Sequence, residues 1–231
     1  MVASGAGADY LPVMPRNHFS HVDTWVFDLD NTLYPPSIRL FDQIQARMTD
    51  YVMEALGLDT VAASALRQDY WHRYGTTLSG LIQEHGLDPE PYLQHVHDID
   101  LTEVAPTVPL GAAITALPGR KIVYTNGSRT HARRVTEALG IAGAFDALYG
   151  FEDAGYKPKP QPEAFARVFA TAKFAPERAA MFEDDPRNLA VPHELGMRTV
   201  LVGPALPETD FPAAHVDHRI EDLAEFLARL A

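Results

Sequence analysis

Short apolar runs alternate with amphipathic stretches along most of the chain. Residues 24–29 (TWVFDL) form the first run, and Asn31 and Pro35-Pro36 punctuate the segment after it, as expected where a buried strand passes into a loop. Residues 121–125 (KIVYT), 180–183 (AMFE) and 199–202 (TVLV) repeat the pattern, with 145–149 a weaker fifth. Ser128 is placed to cap a helix running through Val135 and Leu139 to Gly140, because its hydroxyl can accept a first-turn N–H and glycine can end the last turn. Pro162 opens a second helix, with Phe165 and Phe169 four apart on one face. Asp185-Pro186 opens a third that reaches Leu195-Gly196, and Pro192 should kink or shorten it. Strands alternating with helices of this length predict an α/β fold, a parallel sheet covered by helices on both faces.

Residues 36–105 break the alternation. Phe41, Ile44, Met48, Val52 and Leu56 mark one face of a helix ending at Gly57, and a second pattern runs from Asp59 through Leu66 and Tyr70 to Gly75. Shorter patterns cover 77–86 and open at Asp88-Pro89. Four helices with no strand between them predict an inserted helical bundle, a cap, over 36–105. The core then comprises 22–35 and 106–231, and the Gly/Ala/Ser/Pro-rich residues 1–21 read as a loose arm.

Composition narrows the functions available. Hydrophobic residues are 46% and charged residues 22% of 231, which suits a packed globule. Nineteen Lys+Arg against 31 Asp+Glu leave a net charge of −12, arguing against nucleic-acid polymers and anionic membranes as partners. There is no cysteine, so a disulfide framework, a thiolate metal site and a cysteine nucleophile are all excluded. No apolar run approaches a membrane span, no basic-then-apolar leader opens the chain, and a cytoplasmic location is the expectation. Nothing in the pattern fixes an oligomeric state.

The polar residues fall where an open parallel sheet binds ligands, at the carboxyl ends of its strands. Asp28 and Asp30 end the first strand, two apart and so on one side. Thr125-Asn126 ends the second, Glu183-Asp184-Asp185 a later one, and Lys159 precedes the helix opened by Pro162. Each group alone is ordinary: D-x-D is commonly a turn, TNGS a helix cap, EDD a solvated cluster. Together they form a carboxylate-rich site with one ammonium. Its hard oxygen donors favour Mg²⁺ over Zn²⁺ and suit a phosphate group.

FDLDNTLYP (27–35), TNGS (125–128), KPQPEAF (159–165) and FEDDPRN (182–188) resemble the four signature motifs of the haloacid-dehalogenase-like superfamily. YGTTLSGL (74–81) and NLAVPHELGM (188–197) further resemble its bacterial pyrimidine 5′-nucleotidases. The resemblance implies a Rossmann-like core with a C1-type helical cap. It also implies a Mg²⁺-dependent phosphomonoesterase working through an aspartyl-phosphate on small-molecule esters such as UMP or CMP. Asp28 would be the nucleophile and Asp30 the general acid and base, which requires its pKa to be raised. Asp28, Asp184 and the Asp30 carbonyl would hold Mg²⁺, with Glu183 a direct or water-mediated ligand. Thr125 and the N–H groups of Asn126 and Gly127 would bind phosphoryl oxygens, and Lys159 would neutralise charge. The presence of Asp30 favours phosphoryl transfer over dehalogenation. Other readings are a phosphatase for a sugar phosphate, vitamin phosphate or phosphoglycolate, and a non-catalytic phospho-ligand binder.

Lys159 rather than Lys157 fits K-P-x-P-x-x-F, and Asp185, just before Pro186, reads as a helix cap rather than a ligand. In the cap, Tyr74 could stack on a base and Thr77 donate a hydrogen bond, although a core tyrosine and a helix-capping threonine are the plainer readings. His95, His97, Asp98 and Asp100 read as a solvated face.

Overall fold

The computed structural model describes residues 15–203 and 214–231. Six strands form one parallel sheet: β1 (Thr24–Phe27), β2 (Arg120–Tyr124), β3 (Ala147–Tyr149), β4 (Ala179–Glu183), β5 (Arg198–Val202) and β6 (His218–Ile220), in the order β3-β2-β1-β4-β5-β6. The central strands are buried on both faces, which is why they read as continuous apolar runs. Trp25, Phe27, Val123 and Phe182 face one core, while Val26, Ile122, Tyr124 and Met181 face another against Phe165 and Phe169. Side-chain alternation along each strand separates the two sets.

Helices α1 (Leu40–Leu56), α2 (Thr60–Tyr74), α3 (Thr77–His85) and α4 (Pro89–Val96) follow β1. They begin and end where the sequence marks them. Asp59 accepts from the Ala62 N–H at 2.8 Å to start α2, and Gly57 closes α1 with a left-handed φ of 66°. Thr76, not Thr77, caps α3, accepting from the Ser79 N–H at 3.1 Å. Gly80 on α3 is required by space: a Cβ there would stand 2.3 Å from the Tyr70 ring of α2.

The remaining helices are α5 (Val108–Ala116), α6 (Arg129–Ala138), α7 (Pro162–Ala172), α8 (Ala190–Glu194) and α9 (Leu223–Ala228). The helix expected from Asp185 is divided into a 3-10 turn, Pro186–Leu189, and short α8. Pro192 sits in the first turn of α8, where its missing N–H has no partner to lose. Of the expected arm, residues 1–14 lie outside the described residues. Pro15–Phe19 form a 3-10 turn, and Phe19 stacks on Trp25 with centroids 5.9 Å apart. An aromatic this close to the sheet gains more by burial than by remaining in water. No helix among the described residues is long and apolar enough to cross a membrane.

Candidate active site

Strand register builds the site. Phe27 pairs with Val123 on one side and Phe182 on the other. The next residue, Asp28, therefore emerges beside the ends of β2 and β4, and its N–H still donates to the Phe182 carbonyl at 2.9 Å. Lys159, 2% exposed, reaches the same point from the loop before α7. Its Nζ donates to Asp28 Oδ1 at 2.7 Å, Glu183 Oε1 at 2.6 Å and the Tyr124 carbonyl at 3.1 Å. Lys157 is exposed. The Asn126 side chain holds the Lys159 backbone at both ends: Oδ1 accepts from its N–H at 2.8 Å and Nδ2 donates to its carbonyl at 3.2 Å.

Asp28, Glu183 and Asp184 each bring a carboxylate oxygen within 4.8 Å of the others. Thr32 donates to Asp28 Oδ2 at 3.2 Å, and Asn31 to Asp184 Oδ2 at 3.4 Å. Burial, with Glu183 and Asp30 beside it, lifts the Asp28 carboxyl above the usual range against the pull of Lys159. Burial, Glu183 and Asp28 lift Asp184 likewise. Crowded acids with raised proton affinity and all-oxygen donors are what a hard divalent cation neutralises, so the donor set fits Mg²⁺. Glu183 also accepts from Asn188 Nδ2 at 2.8 Å and the Asp185 N–H at 2.9 Å. Asp185 itself caps the turn over Pro186–Leu189, accepting from the Arg187 N–H at 3.0 Å.

Asp30 departs from the expectation of a raised pKa. Burial pushes its carboxyl up, but the His131 ring and hydrogen bonds from His131 and Tyr34 outweigh burial and hold it below the usual carboxylate range. The Tyr34 hydroxyl donates to Oδ1 at 2.6 Å, and His131 Nε2 lies 3.0 Å from the same oxygen. Ser128 caps α6 by accepting from the His131 N–H at 3.1 Å, which turns the His131 ring toward the strand ends. His131 is fully buried, and its place with Val135 on the buried face of α6 was the sequence signal for it.

His97 corrects a second expectation. It is 7% exposed rather than solvated and stacks on His131 at 4.4 Å between centroids; Ser128 Oγ lies 3.1 Å from its Nδ1. Arg134 on α6 fixes this segment by donating to the His97 and Ile99 carbonyls at 2.5 and 2.9 Å. The return of the chain after α4 sets His97 against the start of α6, whereas Asp98 and Asp100 remain exposed.

Thr125 Oγ1 accepts from the Gly127 N–H at 2.9 Å, so this N–H turns inward to the Thr125 side chain. Asn126 and Gly127 line a cavity of about 580 Å³ that extends from Asp30 and His97 among α1, α2 and α4. Thr77 lines it too, whereas Tyr74 does not; the Tyr74 hydroxyl donates to Glu84 and accepts from Arg73. Trp71, one turn earlier on α2, takes the wall, and Arg187 from the β4 end stacks over it at 4.2 Å.

Among relatives, "Phosphate metabolism protein 8" of Saccharomyces cerevisiae is 28% identical over 213 residues, 85% of this chain and 61% of that protein. The chain thus spans about three fifths of that relative's length. Solved structures agree in fold. The haloacid dehalogenase-like protein SP0104 of Streptococcus pneumoniae has a TM-score of 0.60 at 17% identity, covering 92% of this chain and 100% of that one. The magnesium-bound HAD-hydrolase YfnB of Bacillus subtilis has a TM-score of 0.56 at 18% identity, covering 90% and 98%. The family model described as haloacid dehalogenase-like hydrolase matches residues 22–196. This chain belongs to the haloacid dehalogenase-like hydrolase family.

Proposed function

We propose that the protein is a Mg²⁺-dependent phosphomonoesterase acting on pyrimidine 5′-nucleotides, with α1–α4 as a cap over the site. The observation that carries the reaction type is the arrangement around Asp28: one carboxylate between a buried ammonium and an acidic cluster, with a second acid two residues on. Asp28 attacks phosphorus, forming the aspartyl-phosphate as the ester P–O bond breaks, and Asp30 gives its proton to the leaving alkoxide. In the second half Asp30 takes a proton from water, which attacks the aspartyl-phosphate and releases inorganic phosphate. The depressed Asp30 carboxyl favours this second half, since its base form dominates at neutral pH, and the first half draws on the minor protonated fraction. Lys159 orients Asp28 and offsets charge gathering there. Asp28, Asp184 and the Asp30 carbonyl would hold Mg²⁺, with Glu183 a ligand or a partner through water; when bound, the ion neutralises the acids and polarises a phosphoryl oxygen. Thr125 and the Asn126 backbone would meet the phosphate, and the Gly127 N–H would join them on leaving Thr125 Oγ1.

The size and walls of the cavity support a leaving group as large as a nucleoside over one as small as glycolate. The resemblance of residues 74–81 and 188–197 to pyrimidine nucleotidases supports the substrate class, and the name of the yeast relative concerns phosphate metabolism. The test is phosphate release from UMP, CMP, AMP, sugar phosphates, phosphoglycolate and pyridoxal phosphate, with and without Mg²⁺. Metal-dependent turnover strongest on UMP and CMP and lost in Asp28→Asn is expected. Preference for another ester overturns the substrate, and turnover retained in Asp28→Asn overturns the mechanism.

A further inference from the structure

The end of the cavity away from the strand carboxyl ends carries a cation that nothing among the described residues neutralises. Arg67, on the inner side of α2, is half-buried and lines the cavity. Its guanidinium donates to Thr49 Oγ1 at 2.5 Å and lies 3.5 Å from Met48 Sδ, and among the described residues it forms no ion pair. Its Nε is buried without a hydrogen-bond partner. Burial pulls its pKa below the usual arginine range, and only the neighbouring Tyr92 opposes this. Tyr92, on α4, is 2% exposed and lines the same cavity, and its hydroxyl lies beside the Thr77 side chain without closing a well-formed hydrogen bond. Burying a guanidinium and a phenol with unmade hydrogen bonds is costly. Two such orphans from different helices converge on one cavity, and that cavity opens onto Asp30, Asn126 and Gly127.

We propose that Arg67 and Tyr92 form a second recognition point, at which the leaving group presents an acceptor oxygen while its phosphate lies at the strand ends. The cavity wall between the two points is largely apolar, with Ile44, Met48, Leu93 and Val96, so the occupant has a flat or apolar body tipped by a carbonyl or carboxylate. A pyrimidine ring, with its exocyclic carbonyl oxygens, has this form. Adenine has ring nitrogens but no such oxygen. After a side-chain rotation that brings them to the cavity surface, the guanidinium and the phenol O–H would donate to that oxygen, and an ester lacking it gives them no such partner. A site of this kind discriminates strongly, because the wrong substrate strands buried donors.

This inference rests on the phosphomonoesterase reading, and the experiment separates the two. Kinetics of the Mg²⁺-loaded enzyme are measured on UMP, on 4-carboxyphenyl phosphate and on phenyl phosphate, which lacks the acceptor. Arg67→Gln should raise KM about tenfold on whichever acceptor-bearing ester the wild type uses, with kcat little changed and phenyl phosphate within about twofold. Arg67→Lys should recover part of the loss, and Tyr92→Phe should raise KM about threefold on the same ester. Response of UMP alone identifies a carbonyl, and response of the carboxylate ester alone identifies an anion. An equal effect of Arg67→Gln on all three esters, or none on any, overturns the proposal; if this variant does not fold, an unchanged KM in Tyr92→Phe overturns it. Wild-type enzyme that turns over none of the three, or phenyl phosphate alone, refutes the acceptor-reading site, and absence of turnover across the whole ester panel above refutes the phosphomonoesterase reading.

Discussion

His131 Nε2 stands 3.0 Å from Asp30 Oδ1, and the His131 ring is stacked against His97 with planes 15° apart. Asp30 is therefore set by α6, an element more than 100 residues away in sequence. Its proton affinity is lowered by that contact and by Tyr34 against the opposing effect of burial. Removing the imidazole while leaving the burial should raise the Asp30 pKa. In His131→Asn, the alkaline limb of kcat/KM on a poor leaving group should move up by about one pH unit, because departure needs Asp30 protonated. On p-nitrophenyl phosphate, whose leaving group needs no acid, the limb should stay in place. Equal shifts on both esters would assign the limb to another group.

His97 supplies a stability prediction. Burial, reinforced by His131, lowers its pKa to about 3, whereas an unfolded histidine titrates near ~6.5. Below that value the unfolded chain takes a proton that the folded chain refuses. The stability from a neutral His97 is thus fully present above about pH 6.5 and is lost as pH falls toward 3, by up to about 1.4 kcal/mol per pH unit. Urea midpoints from pH 7.5 to 4.5 should fall more steeply in the wild type than in His97→Gln. Parallel slopes would show that His97 is not the group responsible.

Ionising Asp28 costs the fold, because burial raises its carboxyl pKa to about 7. With its native pKa above the unfolded value, the charged form destabilises the metal-free protein as pH rises. Asp28→Asn should melt higher than wild type in EDTA at neutral pH, by an amount on the order of 1 kcal/mol, while the rise on adding Mg²⁺ should shrink. Thermal melts with and without the ion check both halves. A variant less stable in EDTA would mean that pairing with Lys159 outweighs the crowding.

Lys159 is the counter-charge to both Asp28 and Glu183, at 2.7 and 2.6 Å. Lys159→Met strands those buried carboxylates and should cost about 3 kcal/mol in denaturant unfolding. Millimolar Mg²⁺ should restore part of that loss, since a second cation then serves the same oxygens. A loss indifferent to Mg²⁺ would point to packing of the lysine stem instead.

Much of this arrangement is legible in the chain itself. The apolar runs of β1, β2 and β4 place Asp28, Thr125 and Glu183 at the carboxyl ends of their strands because the middle of a strand buried on both faces is apolar and charged groups are tolerated only toward its ends. Asp59, Ser128 and Asp185 cap the turns they start, and Gly57 and Gly86 end theirs, because caps are satisfied within a few residues of chain. Strand β6, with its polar His218 and Arg219, and α5, almost wholly apolar, carry no periodic pattern that marks them in the sequence.

Local sequence thus determined the strand-end acids, the lysine and the helix limits. The tertiary structure decided what those acids experience. The pKa of Asp30 is lowered by a histidine from α6, the stack of His97 on that histidine depends on how α4 returns to the core, and the orphaned Arg67 and Tyr92 meet only because α2 and α4 share a cavity. Proton affinity and burial depend on everything within a few ångströms regardless of chain separation, so no local pattern could show them.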